Sequence, residues 1–256
     1  MIDSRAVIDS SAKIGSDVTI GPFSVIGKDV EIGDDTWVGP HVVINGPTKI
    51  GKENKFFQFA SIGEDPQDKK YAGEDTKLII GDRNVFREYV TINRGTSQDR
   101  GYTQVGDDNW IMAYCHIAHD CVVQDNVIMS NSSSLAGHVV VEDYAILAGF
   151  ALVHQFCKIG AHSFSAFGSV INQDVPTYVT ASGHLASPRG INSEGLKRRG
   201  FSSDAIRAIK NAYKAIYMSG KKLDEALKDI EVEYGEVAEV REMIEFIKSS
   251  ERGIIR

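Results

Sequence analysis

The stretch KIGSDVTIGPFSVIGKDVEIG, residues 13–33, repeats with a period of six residues. Isoleucine occupies positions 14, 20, 26 and 32, and a glycine follows each of them. The same step gives eleven consecutive apolar residues from Ile2 to Ile62, which chance would produce about once in a hundred thousand sequences at ordinary apolar usage. After two interruptions the step continues, shifted by one residue, from Val105 to Ile171. The repeat therefore has a structural cause.

A period of six excludes an α-helix, whose repeat is 3.6 residues. Ordinary strand alternation also gives even spacings, but hairpin turns would interrupt it, and this step runs through about 170 residues. The pattern predicts a solenoid of very short strands, with one aliphatic side chain per hexad pointing inward and a small residue at each corner. The sequence here resembles the hexapeptide-repeat family, and this resemblance implies a left-handed parallel β-helix with about 18 residues in each coil.

Two polar segments interrupt the frame, PQDKKYAGEDTK at 66–77 and NRGTSQDRGYTQ at 93–104. Their glycines and proline predict loops that leave the β-helix. Loops that project from a rigid repeat often carry binding residues, although tolerated surface insertions explain the pattern equally well. We expect the β-helix, with these two loops, to occupy residues 1–186.

The repeat ends near Asp174, and the sequence changes character from about residue 188. Ser202 or Ser203 can cap a helix, because isoleucines and tyrosines follow at helical spacing until Gly220. Similar spacing recurs beyond it, and the helices predicted in this part of the chain span about 203–219, 222–230 and 236–249. The sequence thus predicts a small α-helical C-terminal domain over 187–256.

Composition and charge are those of an ordinary globular protein, with 42% hydrophobic and 25% charged residues and a net charge of −7. An acidic chain argues against nucleic-acid binding as the main function. Three cysteines without a CxxC pair favour a reducing compartment, and MIDSRAVIDS at 1–10 lacks the features of a signal peptide. No stretch reaches the roughly 18 apolar residues of a membrane span. We expect a cytoplasmic protein with no membrane span.

Histidines concentrate in one part of the β-helix, where four of the seven in the chain lie between 116 and 154. With about 18 residues per coil, His119, His138 and His154 fall on the same side of three successive coils, about 4.8 Å apart. His116 stands three residues before the first of them. Imidazoles stacked on an outer face gain little from packing, so we interpret the column as functional.

This column could bind zinc or transfer protons. A catalytic zinc site needs three ligands with an open position, as in carbonic anhydrases built on this β-helix, but Asp120, Gln155 and Gly137 have no place in one. Proton transfer fits better, because an imidazole with a pKa of about 6.5 can take a proton from a hydroxyl. A neighbouring acid can orient the ring, and a glycine amide can face an oxyanion. The sequence therefore predicts direct acyl transfer by a general base, without a metal or a covalent intermediate.

Six ordered motifs extend a closer resemblance over the whole chain. They are QFASIGEDPQDKKYAGE at 58–74, AHDC at 118–121, LAGHV at 135–139, VHQFCKIGAH at 153–162, QDVPTYV at 173–179 and NSEGLKRRGFS at 192–202. With them the sequence resembles the UDP-N-acetylglucosamine O-acyltransferase family. The resemblance implies transfer of a 3-hydroxyacyl group from acyl carrier protein to the 3-hydroxyl of UDP-N-acetylglucosamine, the first step of lipid A biosynthesis. It also implies a homotrimer with sites between neighbouring subunits, and no cofactor beyond the phosphopantetheine of the carrier.

The resemblance also implies roles for individual residues. His119 is the expected general base, Asp120 its support, and the Gly137 amide the donor to the oxyanion. The residues implied to bind the sugar, the acyl group, the diphosphate and the uridine are Asp68, Lys70, His116, His138, His154, Gln155, Asn192 and Glu194. Arg198 and Arg199 are implied to serve phosphate or the carrier. They belong to the densest cationic run of an acidic chain, which a solvated charge run would also explain.

Two positions depart from the family pattern. Asn93 stands where relatives often have histidine, which affects the positioning of the substrate. Phe167 stands where long-chain members carry glycine at the end of the acyl groove, so we predict a shorter acyl chain.

Two other functions stay open. One is the related N-acyltransferase that uses a 3-amino sugar; its members usually carry an additional N-terminal uridine-binding domain, whereas the hexads here begin at Ile2. The other is a β-helix that binds ligands without catalysis.

Overall fold

A computed structural model describes the whole chain, from Met1 to Arg256. It contains 27 short strands and four helices. The strands are β1 Val7–Ile8, β2 Lys13–Ile14, β3 Thr19–Ile20, β4 Val25–Ile26, β5 Val30–Ile32, β6 Trp37–Val38, β7 Val43–Ile44, β8 Thr48–Ile50, β9 Lys55–Phe56, β10 Ser61–Glu64, β11 Lys77–Ile80, β12 Val85–Phe86, β13 Thr91–Asn93, β14 Tyr102–Val105, β15 Trp110–Ile111, β16 His116–Ile117, β17 Val122–Val123, β18 Ile128–Met129, β19 Ser134–Leu135, β20 Val140–Val141, β21 Ile146–Leu147, β22 Leu152–Val153, β23 Lys158–Ile159, β24 Phe164–Ser165, β25 Val170–Ile171, β26 Val179–Ser182 and β27 Ser187–Ile191. The helices are α1 Ser193–Arg198, α2 Ser203–Met218, α3 Leu223–Tyr234 and α4 Ala238–Lys248.

The strands form three sheets of nine, eight and ten strands, and successive coils stack in register. Val7 pairs in parallel with Val25, and Val25 pairs with Val43, so one coil takes 18 residues. Only β26 and β27 pair antiparallel. This architecture confirms the predicted fold class, a left-handed parallel β-helix followed by a small helical region.

The interior of the β-helix is a column of apolar side chains. Ile26, Ile44 and Ile62, which follow one another in the six-residue frame of successive coils, are at most 1% exposed. Phe56 and Phe86 stack inside the column with their ring centroids 4.9 Å apart. Burial of each such side chain stabilises the fold by roughly 1.5–3 kcal/mol. The predicted inward position of the aliphatic residues is confirmed.

Three corners join the sheets. The first corner connects the ten-stranded sheet to the nine-stranded sheet, the second connects the nine-stranded to the eight-stranded sheet, and the third closes the coil. At these corners 20 non-glycine residues adopt a positive φ. Small side chains do fill the inner side of the corners, but the outward positions carry acidic and aromatic residues as well. The expectation of a small residue at each corner is therefore only half right.

Aromatic rings at the first corner stack on one another from coil to coil. We call this set the aromatic ladder; it consists of Phe23, His41, Phe59, Tyr89 and Tyr114. Its ring centroids are 4.8 to 5.3 Å apart, which matches the distance between coils. Stacking of this kind offsets part of the backbone strain at the positive φ angles.

Both polar segments leave the β-helix at the second corner. The segment 66–77 lies between β10 and β11, and it lengthens the step between paired residues from 18 to 30, since Ser61 pairs with Thr91. The segment 93–104 lies mainly between β13 and β14. Arg94 is buried at its base and donates to the carbonyl oxygen of Gly63 at 2.5 Å and to the hydroxyl of Tyr71 at 3.2 Å. The two loops are therefore fastened together.

The C-terminal part begins with a strand rather than a helix. Strand β27 pairs with β26 in the ten-stranded sheet, so the sheet runs past the predicted boundary at residue 186. The short helix α1 was not predicted, whereas α2, α3 and α4 fall where helical spacing was seen. Ser202 caps α2 by accepting a hydrogen bond from the backbone N–H of Ala205. The division into two domains stays a prediction.

None of the helices has the length and apolar character needed to span a membrane.

Candidate active site

A histidine–carboxylate pair lies at the second corner. His119 and Asp120 occupy the turn between β16 and β17, and Nδ1 of His119 is 2.8 Å from Oδ2 of Asp120. An ionised carboxylate can only accept a hydrogen bond, so Nδ1 carries the proton and Nε2 keeps its lone pair. This arrangement leaves one basic imidazole nitrogen free to take a proton from another molecule.

The carboxylate of Asp120 is held from several directions. Asp120 is fully buried and adopts a positive φ of 60°. Its Oδ1 accepts from the backbone N–H of Thr96 at 2.9 Å, and its Oδ2 accepts from the hydroxyl of Thr96 at 2.7 Å. Burial alone would raise the pKa of Asp120, but the hydrogen bonds from His119 and Thr96 outweigh it, so the pKa lies below its ordinary value. Asp120 is therefore ionised at neutral pH.

A second imidazole stands against the first. The ring of His138 lies on the next coil, edge-on to His119, with the ring centroids 5.1 Å apart. Its Nδ1 is 2.7 Å from Oδ2 of Asp99, which belongs to the loop 93–104, and Phe156 stacks on its other face at 4.3 Å. The ring is thus fixed on three sides.

His119, Asp120 and His138 form the one group in the protein whose potential metal ligands converge. Ligand atoms of His119, Asp120 and His138 all lie within 4.8 Å of one another. However, the Nδ1 atoms of both histidines already face carboxylates. A zinc ion would have only the Nε2 atoms and a carboxylate that three hydrogen bonds already hold. The absence of a catalytic metal stays our prediction.

Gly137 lies on the next coil, directly against the ring of His119. A Cβ atom at position 137 would be 2.6 Å from Cε1 and 2.8 Å from Nε2 of His119, which is closer than real contacts allow. The backbone N–H of Gly137 donates to no acceptor within the protein. Glycine at this position therefore serves two purposes: it makes room for the imidazole, and it leaves a free amide beside it.

The dyad opens into a cavity of about 1040 Å³ between the two loops and the second corner. Five of the predicted site residues line it, and they are Asp68, Lys70, His119, His138 and Gln155. The cavity walls also contain residues that the sequence did not single out, namely Gln67, Lys69, Gln98, Asp99, Arg100, Phe156 and Glu251. Cationic and acidic side chains thus surround His119, which suits a polar, charged ligand.

Two of the predicted histidines lie outside this cavity. His116 is half-buried, and its Nδ1 is 2.7 Å from the hydroxyl of Thr91; burial and the nearby His119 lower its pKa. His154 is exposed and does not join the imidazole stack, so the prediction of three stacked histidines is wrong. The register of the coils explains this result. The ring of His138 stacks on Phe156, which comes two positions after His154 in the chain.

The tail residues lie at the third corner instead. Asn192 caps α1 and donates to the carbonyl oxygen of His162 at 2.9 Å, while Glu194 pairs with Lys197 on the surface. Arg199 donates to the carbonyl oxygen of Tyr144 at 2.9 Å. Like Arg198, these three residues do not line the cavity around His119 of the same chain.

Asn93 and Phe167 are placed differently from each other. Asn93 is buried at the base of the loops and donates to the carbonyl oxygen of Asp65 at 2.7 Å, so it joins the loops and does not face the cavity. Phe167 is 72% exposed at the first corner, edge-on to Phe150 with ring centroids 5.5 Å apart.

The cysteines have the character of core residues. Cys115, Cys121 and Cys157 are buried and free, and burial raises the pKa of Cys121 to about 12. A thiol with such a pKa supplies almost no thiolate at neutral pH, which agrees with the prediction that none of them is a nucleophile.

The half-buried imidazole of His162 predicts a pH-dependent stability. Burial, with a smaller contribution from Arg199, lowers the pKa of His162 from 6.5 to about 4. Between these values the unfolded chain binds a proton that the folded chain does not. The stabilisation is therefore complete above pH 6.5 and decreases as the pH falls towards 4, by roughly 1–2 kcal/mol once partial exposure is allowed for. Thermal unfolding measured from pH 4 to 8 should show this decrease.

The control for this prediction uses two histidine variants. His162→Phe keeps a ring for stacking with Tyr144 and should flatten the pH dependence of the unfolding temperature. The exposed His184 offers a matched change, and His184→Phe should leave the slope as it is in the unmodified protein. An unchanged slope in His162→Phe would contradict the assignment.

Several site residues could not be found from the sequence. Asp99 and Phe156 contact the ring of His138, and Thr96 contacts the carboxylate of Asp120, yet none of the three was singled out in the sequence. The only sequence signal for them was indirect, because Thr96 and Asp99 lie in the segment 93–104, which was predicted to leave the β-helix. Only the register of the coils brings them to His119 and His138.

A parallel β-helix of short strands, built on a six-residue repeat, places the protein in the class of hexapeptide-repeat transferases. Two family models match the chain: the bacterial transferase hexapeptide (six repeats) over residues 102–137, and domain 2 of UDP N-acetylglucosamine O-acyltransferase over residues 174–255. A relative from Alkalilimnicola ehrlichii is 58% identical and one from Janthinobacterium sp. is 56% identical, over 100% of this chain and 99% of theirs. Both are named acyl-[acyl-carrier-protein]--UDP-N-acetylglucosamine O-acyltransferase.

Solved structures agree with the sequence relatives. The UDP-N-acetylglucosamine O-acyltransferase of Moraxella catarrhalis superimposes with a TM-score of 0.97 at 45% identity, covering 100% of this chain and 99% of that one. The enzyme of Bacteroides fragilis gives a TM-score of 0.98 at 41% identity, with 100% of both chains covered. The chain belongs to the UDP-N-acetylglucosamine O-acyltransferase family, and it is an acyltransferase.

Proposed function

We propose that this protein transfers a 3-hydroxyacyl group from the thioester of acyl carrier protein to the 3-hydroxyl of UDP-N-acetylglucosamine, the first step of lipid A biosynthesis. The observation that carries the proposal is the His119–Asp120 dyad, whose free Nε2 belongs to a polar cavity of about 1040 Å³. The names of relatives more than 50% identical over the full chain supply the donor and the acceptor.

In the proposed reaction the proton of the sugar hydroxyl passes to Nε2 of His119. The sugar oxygen attacks the carbonyl carbon of the thioester, and the imidazolium that forms is stabilised by the ionised Asp120. The carbonyl oxygen becomes an oxyanion, which the free N–H of Gly137 is suited to bind. Collapse of this intermediate breaks the carbon–sulfur bond, and the departing thiolate takes the proton from His119. No metal or covalent enzyme intermediate is needed.

Charged side chains around the dyad support roles in substrate binding. Lys70 and Asp68 stand on the loop 66–77 at the cavity, where an ammonium can pair with phosphate and a carboxylate can accept sugar hydroxyls. His138 and Gln155 line the other wall. We assign these four residues to the sugar and its diphosphate.

We further propose that the active form is a homotrimer. The aromatic ladder, together with Phe150 and Phe167, presents large rings along the first corner, and Leu152 continues this surface onto the nine-stranded sheet. A run of exposed apolar side chains on one edge is typical of a face that another subunit covers. A neighbouring copy would also supply Asn192, Glu194, Arg198 and Arg199, which lie away from the cavity of their own chain. In this arrangement His116 and His154 line the boundary between subunits.

The position of Phe167 supports a short acyl chain. The outer face of the nine-stranded sheet runs from the second corner, where His119 lies, to the first corner, where Phe167 lies over Gly149. Leu152 exposes its side chain on this face. An acyl chain that crosses this face would meet the phenyl ring at its far end.

Removal of this ring should lengthen the preferred acyl chain. In Phe167→Gly we expect kcat/KM to shift towards donors that are about two to four carbons longer, because the ring no longer fills the end of the groove. The measurement is a competition among 3-hydroxyacyl carrier-protein donors of different length. Phe23→Gly, which removes an exposed ring at the same corner many coils away, is the matched control. Unchanged donor preference in Phe167→Gly would refute the assignment.

The function itself is tested by mass spectrometry. Purified protein is incubated with UDP-N-acetylglucosamine and a panel of 3-hydroxyacyl carrier-protein donors, and the expected product is the 3-O-acyl nucleotide sugar. No product with this acceptor, but N-acylation of a 3-amino analogue, would replace the proposed function with the N-acyltransferase. Ligand binding without turnover on either acceptor would leave only a binding protein.

A further inference from the structure

We propose that Thr96 is a positioning residue of the active site, which acts through Asp120 on the orientation of His119. The inference rests on the proposed function, because it assigns a role to a residue behind the proposed general base. Thr96 belongs to the loop 93–104, and nothing in the sequence pattern connects it with residues 119 and 120.

A single residue, Thr96, holds both oxygens of the Asp120 carboxylate. The backbone N–H of Thr96 donates to Oδ1 of Asp120 at 2.9 Å, and its hydroxyl donates to Oδ2 at 2.7 Å. Two bonds to two different oxygens fix the plane of the carboxylate as well as its position. Since Thr96 is itself only 3% exposed, water does not compete for either bond.

A third contact fixes the other side of Asp120. Its backbone N–H donates to the hydroxyl of Thr103, at the far end of the same loop, at 2.8 Å. Thr96, near one end of the loop, thus holds the carboxylate of Asp120, and Thr103, at the other end, holds its backbone N–H. Both the side chain and the backbone of Asp120 are therefore fixed at this turn.

The plane of the carboxylate determines where the base points. Oδ2 of Asp120 accepts from Nδ1 of His119 at 2.8 Å, so a rotation of the carboxylate would move or break this bond. His119 makes no other side-chain hydrogen bond within the protein, and its ring otherwise lies against Gly137 and His138. Small displacements of a catalytic group lower the rate of reaction far more than they change binding. Thr96 should therefore affect kcat while leaving KM for the nucleotide sugar nearly unchanged.

The test replaces the hydroxyl with a methyl group of similar size. Thr96→Val keeps the backbone N–H but loses the bond to Oδ2, and we expect kcat to fall roughly 10- to 100-fold, the usual value of a hydrogen bond to a charged group. Thr96→Ser restores the hydroxyl and should recover most of kcat. A buried threonine elsewhere gives the control: the hydroxyl of Thr76 has no hydrogen-bond partner, so Thr76→Val should keep normal kcat.

A double-mutant cycle separates positioning from a general structural role. If Thr96 acts only through the acid, Thr96→Val should lower kcat no further when Asp120 is already changed to asparagine. A merely structural role predicts the same additional loss in both backgrounds, together with a lower unfolding temperature. Full additivity, or a normal kcat in Thr96→Val, would overturn the inference.

The outcome is distinguishable from failure of the proposed function. If His119→Ala abolishes product formation while Thr96→Val is fully active, the base is correct and only the role of Thr96 fails. If His119→Ala keeps normal turnover, the proposed mechanism itself fails, and the inference about Thr96 fails with it.

Discussion

Replacing His119 with alanine is expected to lower kcat by roughly 10²–10⁴-fold, the usual contribution of a general base. The physical reason is that Nε2 of His119 is the one imidazole nitrogen at the cavity whose partner nitrogen is held by a fully buried, ionised carboxylate. The fold should survive, because the ring lies outside the apolar column. The measurement is the rate of 3-O-acyl product formation at saturating concentrations of both substrates.

A matched control makes this prediction specific. His184→Ala removes an exposed histidine that does not line the cavity and should leave kcat unchanged. Normal turnover in His119→Ala would refute the general-base mechanism.

Replacing Gly137 with alanine is expected to be nearly as damaging, with a fall in kcat of at least about 100-fold. A methyl group at this position would lie 2.6 Å from Cε1 and 2.8 Å from Nε2 of His119, so the ring must move away. The displaced imidazole can no longer keep both its bond to Asp120 and its approach to the substrate. The same methyl group would also crowd the amide proposed to bind the oxyanion. Steady-state kinetics and the unfolding temperature are the two measurements.

A second glycine separates the local effect from damage to the β-helix. Gly27→Ala introduces the same methyl group several coils away, where the nearest atom is Oδ1 of Asn45, the end of a side chain, at 2.9 Å. We expect this variant to keep its kcat. Should Gly137→Ala be fully active, the close packing of His119 on position 137 would have no part in catalysis.

Much of the chemistry could be predicted from residue types and spacing. His119, Asp120 and Gly137 were chosen because an imidazole, an acid and a glycine in one neighbourhood suit general-base acyl transfer, and the structure brings the three together. Asp68 was assigned by resemblance, and it reaches the same cavity. The 18-residue count also placed His154 in the imidazole column, but Phe156 stacks on His138 instead, and the role of His154 in substrate binding stays a prediction.

The amino-acid sequence by itself determined the architecture. A step of six residues, repeated through residues 2–171, can bury its apolar side chains only in a solenoid of short strands, since neither a helix nor a set of hairpins keeps that period. Helices α2, α3 and α4 could also be predicted from the sequence, because a serine cap and helical apolar spacing are local signals.

Only the tertiary structure decided which side chains meet at the active site. Both loops leave the β-helix at the corner that holds His119, so that Thr96 and Asp99 reach residues 24 and 39 positions further along the chain. Such contacts depend on the register of the coils and on the direction in which each side chain leaves its corner. Both are set by the packing of neighbouring coils, which no local run of sequence specifies.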